Sequence, residues 1–290
     1  MQIAFHIGAN CTDADQLRKS VLRNAAALLQ QGIVIPGSDK YRALLRETID
    51  GLNGAQPAAD TREILLDAII AQDDATRVIL TNDNFIAIPK RIFDRGVFYA
   101  QTEPKLCGLQ RLFPEDELSL FFAIRNPVTF LQDAARLAEP TSLREYLGLL
   151  SPMDVRWSDV VKKIKRAAPR ARLNVWCTED APLIWEDLIR LQTGIPPDDP
   201  VQGGFDMVRR VLTPAGLEQI KALEMPRDRI ARHALIGDLI EDFAAPDLVE
   251  EQITMEEFTP ELIGAMSEAY EDDIDVIAAM DGVEMILPFT

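Results

Sequence analysis

The chain has 290 residues, 47% of them hydrophobic and 27% charged, with a formal net charge of −17. That composition suffices for a large core, and no apolar run approaches the roughly 18 residues needed to span a bilayer. Three widely spaced cysteines (Cys11, Cys107, Cys177) and two histidines, with no C-x-x-C pair, exclude a zinc site of ordinary spacing and point to a reducing cytoplasm. No basic leader precedes the first apolar segment, so a secretory signal is not expected.

In chain order, residues 3–7 (I-A-F-H-I) form an apolar strand running into Gly8 and a tight loop. A helix follows, in which Leu17, Val21, Leu22, Ala25, Leu28 and Leu29 recur at helical spacing and Gly32 closes the end. Residues 33–35 are a short extended segment stopped by Pro36. Helices are predicted over 41–51 and 61–72, with a loop over 51–59 between them. The second carries Ile64, Leu65, Ala68 and Ile69 on one face. Residues 76–81 are a strand ending in the polar turn Asn82-Asp83-Asn84. Residues 118–124 (L-S-L-F-F-A-I) are the strongest strand, because a near-continuous apolar run suits burial on both faces of a parallel sheet. It ends at Arg125-Asn126-Pro127, with Asn126 as a helix cap and Pro127 at the first helical position.

A basic helix over 155–168, a buried strand over 173–177 and a helix over 182–191 come next. Residues 196–204, from Pro196-Pro197 to Gly203-Gly204, are the clear loop break. Helices are predicted over 214–223, 227–243 and 260–280. The last begins with Thr259 as cap and Pro260 after it, and Leu262, Ile263, Met266, Tyr270 and Ile274 form its apolar stripe. Strands alternating with helices predict an α/β fold with a mainly parallel sheet and helices on both faces. The expected organisation is a single domain, with residues 1–195 as the α/β core and 205–290 as a helical extension packed on it.

The charge is uneven. No Lys or Arg follows Arg232, while sixteen Asp and Glu lie between Asp238 and Glu284. The first 232 residues hold 30 bases against 31 acids. An acidic C-terminal region disfavours nucleic acid as a partner, because duplex binding rests on neutralising phosphates. It reads either as a solvated, solubilising face or as a docking surface for a basic partner.

The strand-glycine-loop-helix that begins at His6-Ile7-Gly8 has the layout of a phosphate-binding loop. Three anchors in order then carry a resemblance. They are that loop, the buried strand ending in Arg125-Asn126-Pro127, and Phe258-Thr259-Pro260-Glu261-Leu262 with Tyr270-Glu271-Asp272-Asp273. The stretch 157–195, with Val175-Trp176 before Glu179-Asp180, fits the same pattern. Together they resemble bacterial members of the sulfotransferase family, which use 3′-phosphoadenosine 5′-phosphosulfate. The resemblance implies a three-layer P-loop-type α/β fold and sulfuryl transfer to a hydroxyl or amine on a small-molecule or glycan acceptor. No metal, nucleic-acid or membrane partner is expected.

Residue by residue, family members resemble H-I-G-x-x-K-T-G-T-T-S over the loop. The donor-binding positions are Gly8, Ala9, Asn10, Cys11 and Thr12. Cys11 stands at the lysine position, Thr12 is kept, and Asp13, Ala14 and Asp15 replace a glycine and two threonines. Arg125 matches the arginine that holds the 3′-phosphate, and Asp133 stands where a serine is expected eight residues later. Asp83 matches the glutamate that serves as catalytic base. The loop is thus a degenerate version of the family's. A carboxylate about 5 Å from a phosphate charge costs roughly 3 kcal/mol at an effective dielectric near 20, so Asp13, Asp15 and Asp133 would each oppose the donor.

Each residue also has a structural reading. Thr12-x-x-Asp15 has the spacing of a capping box, and Asp13 or Asp15 can take the place of the phosphate at the helix N-terminus. Cys11 is either a reactive thiol or a small loop residue. Arg125 binds phosphate or pairs with Asp133. Asp83 is a base or caps a following helix. His6 is expected as a hydrogen-bonded core residue, His233 on the surface, and Trp157, Trp176 and Trp185 in the core. The run Lys162-Lys163-Ile164-Lys165-Arg166 is expected to decorate a solvated face. Two functions stand: sulfuryl transfer, or a catalytically inactive sulfotransferase-fold protein that binds or regulates. A nucleotide kinase or NTPase is disfavoured, since no G-x-x-x-x-G-K-[ST] is present.

Overall fold

The apolar run over 118–124 becomes a central strand of a six-stranded sheet in the computed structural model, which describes every residue except Ala14, Glu250 and Thr290. Ala14, matched above to a family threonine, lies outside the described residues. The first half of the chain runs β1 (Gln2–Gly8), α1 (Gln16–Leu22), α2 (Ala25–Leu29), β2 (Ile33–Val34), α3 (Ser38–Leu52), α4 (Thr61–Ile69), β3 (Arg77–Thr81), α5 (Thr102–Leu112), β4 (Glu117–Ile124) and α6 (Pro127–Ala138). The second half runs α7 (Leu143–Leu147), α8 (Trp157–Ala167), β5 (Arg172–Cys177), α9 (Ala181–Thr193), α10 (Pro214–Ile220), α11 (Arg229–Phe243), α12 (Pro246–Val249), α13 (Pro260–Ala278) and β6 (Val283–Met285).

The strand order is β2-β3-β1-β4-β5-β6, and every pairing is parallel. Ile3 sits between Val78 and Leu118, and Leu120 beside Leu173. A parallel ladder brings all strand C-termini to one edge and all N-termini to the other, which fixes where loops can converge. The fold is therefore the expected α/β sheet flanked by helices.

Alternation along β1 divides the core. Ile3, Phe5 and Ile7 face one cluster with Leu45, Leu65, Leu106, Phe130 and Trp157. Ala4 faces the other, with Leu17, Val21, Leu28, Trp176 and Trp185. All three tryptophans are enclosed as expected, and side chains of that size bury roughly 150–250 Å² each. A third, smaller cluster of Val208, Leu212, Ile220, Ile236 and Leu239 lies within the C-terminal region.

Several expectations are corrected. α5 was not predicted, because Pro104 and Gly108 interrupt its pattern. Gly108 is there because a Cβ would lie 2.5 Å from Ile49 Cγ2 of α3, so its absence lets two helices approach. The expected first helix breaks at Arg23-Asn24, and the helix over 61–72 ends at Ile69. The C-terminal region is not wholly helical: residues 283–285 add β6 to the sheet, and the Ile286 N–H donates to the Val175 carbonyl at 2.8 Å. His233 is buried rather than on the surface. Its Nε2 lies 2.7 Å from Asp187 Oδ2, and its Nδ1 accepts from the Phe289 N–H at 2.9 Å. The basic run is only partly solvated: Lys163 Nζ donates to the Phe98 carbonyl at 2.8 Å and Arg166 pairs with Glu103 at 2.8 Å.

Candidate functional site

β1 ends at Gly8 with φ +127°, a conformation that side chains resist, and a Cβ there would lie 3.1 Å from the Asp83 carbonyl oxygen. Glycine thus lets the loop that starts at Ala9 pack directly against the turn after β3. Arg125 leaves the end of β4 beside the same loop. All of the expected site residues therefore meet at the C-terminal edge of β1, β3 and β4.

The loop's donors are committed internally. The Ala9 N–H donates to the Ala123 carbonyl at 3.1 Å, and the Asn10 N–H to the Tyr99 hydroxyl at 3.1 Å. The Asn10 side chain is buried and saturated. Its amide donates to Asn84 Oδ1 at 2.9 Å and to the Ala87 carbonyl at 3.0 Å, while its Oδ1 accepts from Tyr99 at 2.7 Å. The Thr12 hydroxyl donates to the Ala9 carbonyl at 3.0 Å.

Asp13 takes the helix end. Its carboxylate accepts from the Leu17 N–H at 2.8 Å and the Asp15 N–H at 3.2 Å, and its carbonyl accepts from the Gln16 N–H at 3.0 Å. A carboxylate in that position satisfies free N–H groups and the positive end of the helix dipole. The Thr12-Asp15 capping box does not form. Asp15 is left-handed at the cap and makes no side-chain cap bond. Its carboxylate turns outward to Arg42 at 3.0 Å and Arg18 at 3.8 Å.

Arg125 is 6% exposed and is paired with two acids, while its Nε has no hydrogen-bond partner among the described residues. Its Nη1 donates to the Cys11 carbonyl at 2.6 Å and to Asp133 Oδ2 at 2.8 Å, and its Nη2 pairs with Glu251. Burial opposes its charge, yet Glu251 and Asp133 together hold its pKa above the ordinary value. The expected Arg125–Asp133 pair is present, and Glu251 joins it from the far end of the chain. Glu251 carries no local signal, because nothing in a sequence places residue 251 against residue 125.

Cys11 sits at φ 59° with its thiol pushed up to about 12, first by burial and then by Asp133. The reactive-thiol reading fails, since the thiolate is the nucleophile. Asp83 lies in a turn with no helix after it, so it caps none. Its carboxylate accepts from the Asn84 amide at 3.1 Å. Burial raises its pKa; His6 and Arg42 oppose that, and Asp13 and Asp15 add to it. His6 is buried against Trp176, at 5.4 Å between ring centroids. The hydrogen bond expected for it is absent: neither ring nitrogen has a partner among the described residues.

Among the described residues, no group of three or more His, Cys, Asp or Glu side chains is arranged to hold a metal ion, and no helix is long and apolar enough to cross a membrane. No family model matches the chain, and no curated protein matches it. Among solved structures, a sulfotransferase from Alicyclobacillus acidocaldarius is similar at 15% identity and a TM-score of 0.41, covering 81% of this chain and 95% of that one.

Proposed function

We propose that this is a sulfotransferase-like protein whose donor site is filled by its own carboxylates, and that it acts as a binding or regulatory protein rather than by sulfuryl transfer. The observation that carries this reading is the Asp13 carboxylate, which accepts the Leu17 N–H at 2.8 Å where a phosphate would sit in a working loop. Three further features support it. The Ala9 and Asn10 N–H groups are already donated. Cys11 supplies no positive charge in place of a lysine. Arg125 is neutralised twice, by Asp133 and Glu251. The residues present do not fit 3′-phosphoadenosine 5′-phosphosulfate.

One observation favours the transferase reading. Asp83 stands at the end of β3 beside the loop with a raised carboxyl pKa, which suits a general base better than an ordinary aspartate. Base position alone does not hold a donor, so this reading ranks second.

Titration calorimetry with adenosine 3′,5′-bisphosphate separates the two. No heat and no rise in melting temperature at millimolar ligand is the expected result; saturable binding would overturn it. The variant Cys11→Lys, Asp13→Gly, Asp15→Thr, Asp133→Ser should then gain at least about 100-fold in affinity, because two or more opposing charge pairs are removed and each 1.4 kcal/mol is about tenfold.

A further inference from the structure

The opposite edge of the sheet gathers arginines that the fold leaves without acids. β3 and β5 begin with Arg77 and Arg172, and parallel pairing puts both at the N-terminal edge. Arg111 comes from the last turn of α5, Arg170 from the turn before β5 and Arg62 from the first turn of α4. Two hollows open there, of about 630 and 380 Å³, and they share Gln110, Pro114, Glu115 and Arg170 on their walls.

Arg62 is neutralised by Asp116 through two bonds of 2.7 and 2.6 Å. The other four arginines face two remaining wall carboxylates, Glu115 and Glu117. None of the four has a carboxylate within ion-pair distance among the described residues. Arg170 donates to the Pro114 carbonyl at 2.8 Å. Arg77 reaches only the Leu191 carbonyl, at 3.4 Å, and its Nε is buried with no acceptor. Burial and then Arg172 lower its pKa, as expected for a cation short of counter-charge. Such an excess of base is notable in a chain of net charge −17.

A plainer account is that α3, α5 and α8 end here and their carbonyl ends attract cations. That explains Arg170, which points at a carbonyl. It also covers Arg77, which donates to the Leu191 carbonyl in the last turn of α9, but not Arg111, whose side chain makes no hydrogen bond among the described residues. Guanidinium groups with open donors match tetrahedral oxyanions in geometry and charge. The Gln56 and Gln110 amides and the Cys107 side chain line the larger hollow beside them.

We infer that the larger hollow is a binding site for a small phosphate or sulfate ester of a hydroxylated compound, the oxyanion held by Arg111 and Arg170 and the hydroxyls by the Gln56 and Gln110 amides. The inference is independent of how the loop at the other edge is read.

The test is calorimetry with glucose 6-phosphate, glucose 6-sulfate, inorganic phosphate and sulfate as separate probes. The esters should bind with a single site, and more tightly than the free ions. Arg111→Ala with Arg170→Ala should weaken the ester by at least about tenfold, since each lost charge-assisted bond is among the stronger kind. Lys221→Ala, at an exposed ion pair with Glu218 in the C-terminal region, should leave the same titration unchanged. Alkylation of Cys107 should be slowed by the bound ester, and it can be read selectively because burial holds the Cys11 and Cys177 thiols protonated. No heat at millimolar ester, or binding that ignores the double substitution, would overturn the site. Equal binding of the free ions and the esters would overturn the role given to the glutamines.

Discussion

The two edges of one parallel sheet solve the same electrostatic problem in opposite ways. At the C-terminal edge, Arg125 and the start of α1 are met by Asp133, Glu251 and Asp13, so the positive charge and the helix-end N–H of Leu17 are met inside the protein. At the N-terminal edge, Arg77, Arg111, Arg170 and Arg172 outnumber the acids around them. The difference teaches that layout and occupancy are separate properties. A helix end can be met by the chain's own carboxylates, and arginines can gather where no sequence motif announces them.

The largest expected effect is at Arg125. Arg125→Ala strands two carboxylates and a loop carbonyl, and should cost about 2–4 kcal/mol of stability. Arg111→Ala and Arg172→Ala should each stay within about 0.5 kcal/mol, because nothing in the fold depends on them. Urea denaturation of the three variants checks this contrast, and equal losses would break it. Next is Asp13→Ala, expected to cost about 1–2 kcal/mol as the loss of a helix cap, with Asp13→Asn retaining part of it.

The pH dependence should differ in sign between the edges. Burial holds the Asp83 carboxyl above its usual range, so the folded state keeps that proton more tightly than the unfolded chain does. Its contribution is full below the unfolded carboxylate pKa and is lost as pH rises through the folded value. At Asp116 burial works the same way, but the Arg62 hydrogen bonds outweigh it and hold the carboxyl below its usual range. That contribution is present above the unfolded pKa and is lost as pH falls through the folded value. Asp83→Asn should therefore raise the melting temperature at pH about 7 more than at pH about 4, and Asp116→Asn should lower it more at the higher pH. Thermal melts across that range decide it, and shifts of the same sign would erase the comparison. Glu251→Gln should also have a small effect, under about 1 kcal/mol by denaturant titration, because its carboxylate is half-exposed and water screens the pair.

Much of the first edge was legible in the chain. The Gly8 turn, the Arg125-Asn126-Pro127 strand end and the acid at position 133 are each local patterns, and their meeting follows from parallel connection. Which acid would take the helix end was not legible. The spacing favoured a Thr12–Asp15 box, but Asp15 adopts a left-handed backbone and is drawn away by Arg42, leaving Asp13 to cap. Glu251 and His233 escaped because their partners, Arg125 and Asp187, are distant in sequence. α5 escaped because a helix that needs glycine for close packing looks like a broken helix.

The sequence by itself determined the periodicities: apolar runs that must be buried strands, amphipathic stretches that must be helices, and the acidity confined beyond Arg232. These are short-range properties, set by the backbone's own repeat and by the cost of leaving apolar surface in water. Only the tertiary structure decided which charges meet. Ion pairing depends on distances between segments far apart in the chain, and sequence spacing carries no information about them. So the chain could state that its loop was acidic, while the fold alone determined that Asp13, Asp133 and Glu251 fill one edge and that four arginines at the other face too few acids.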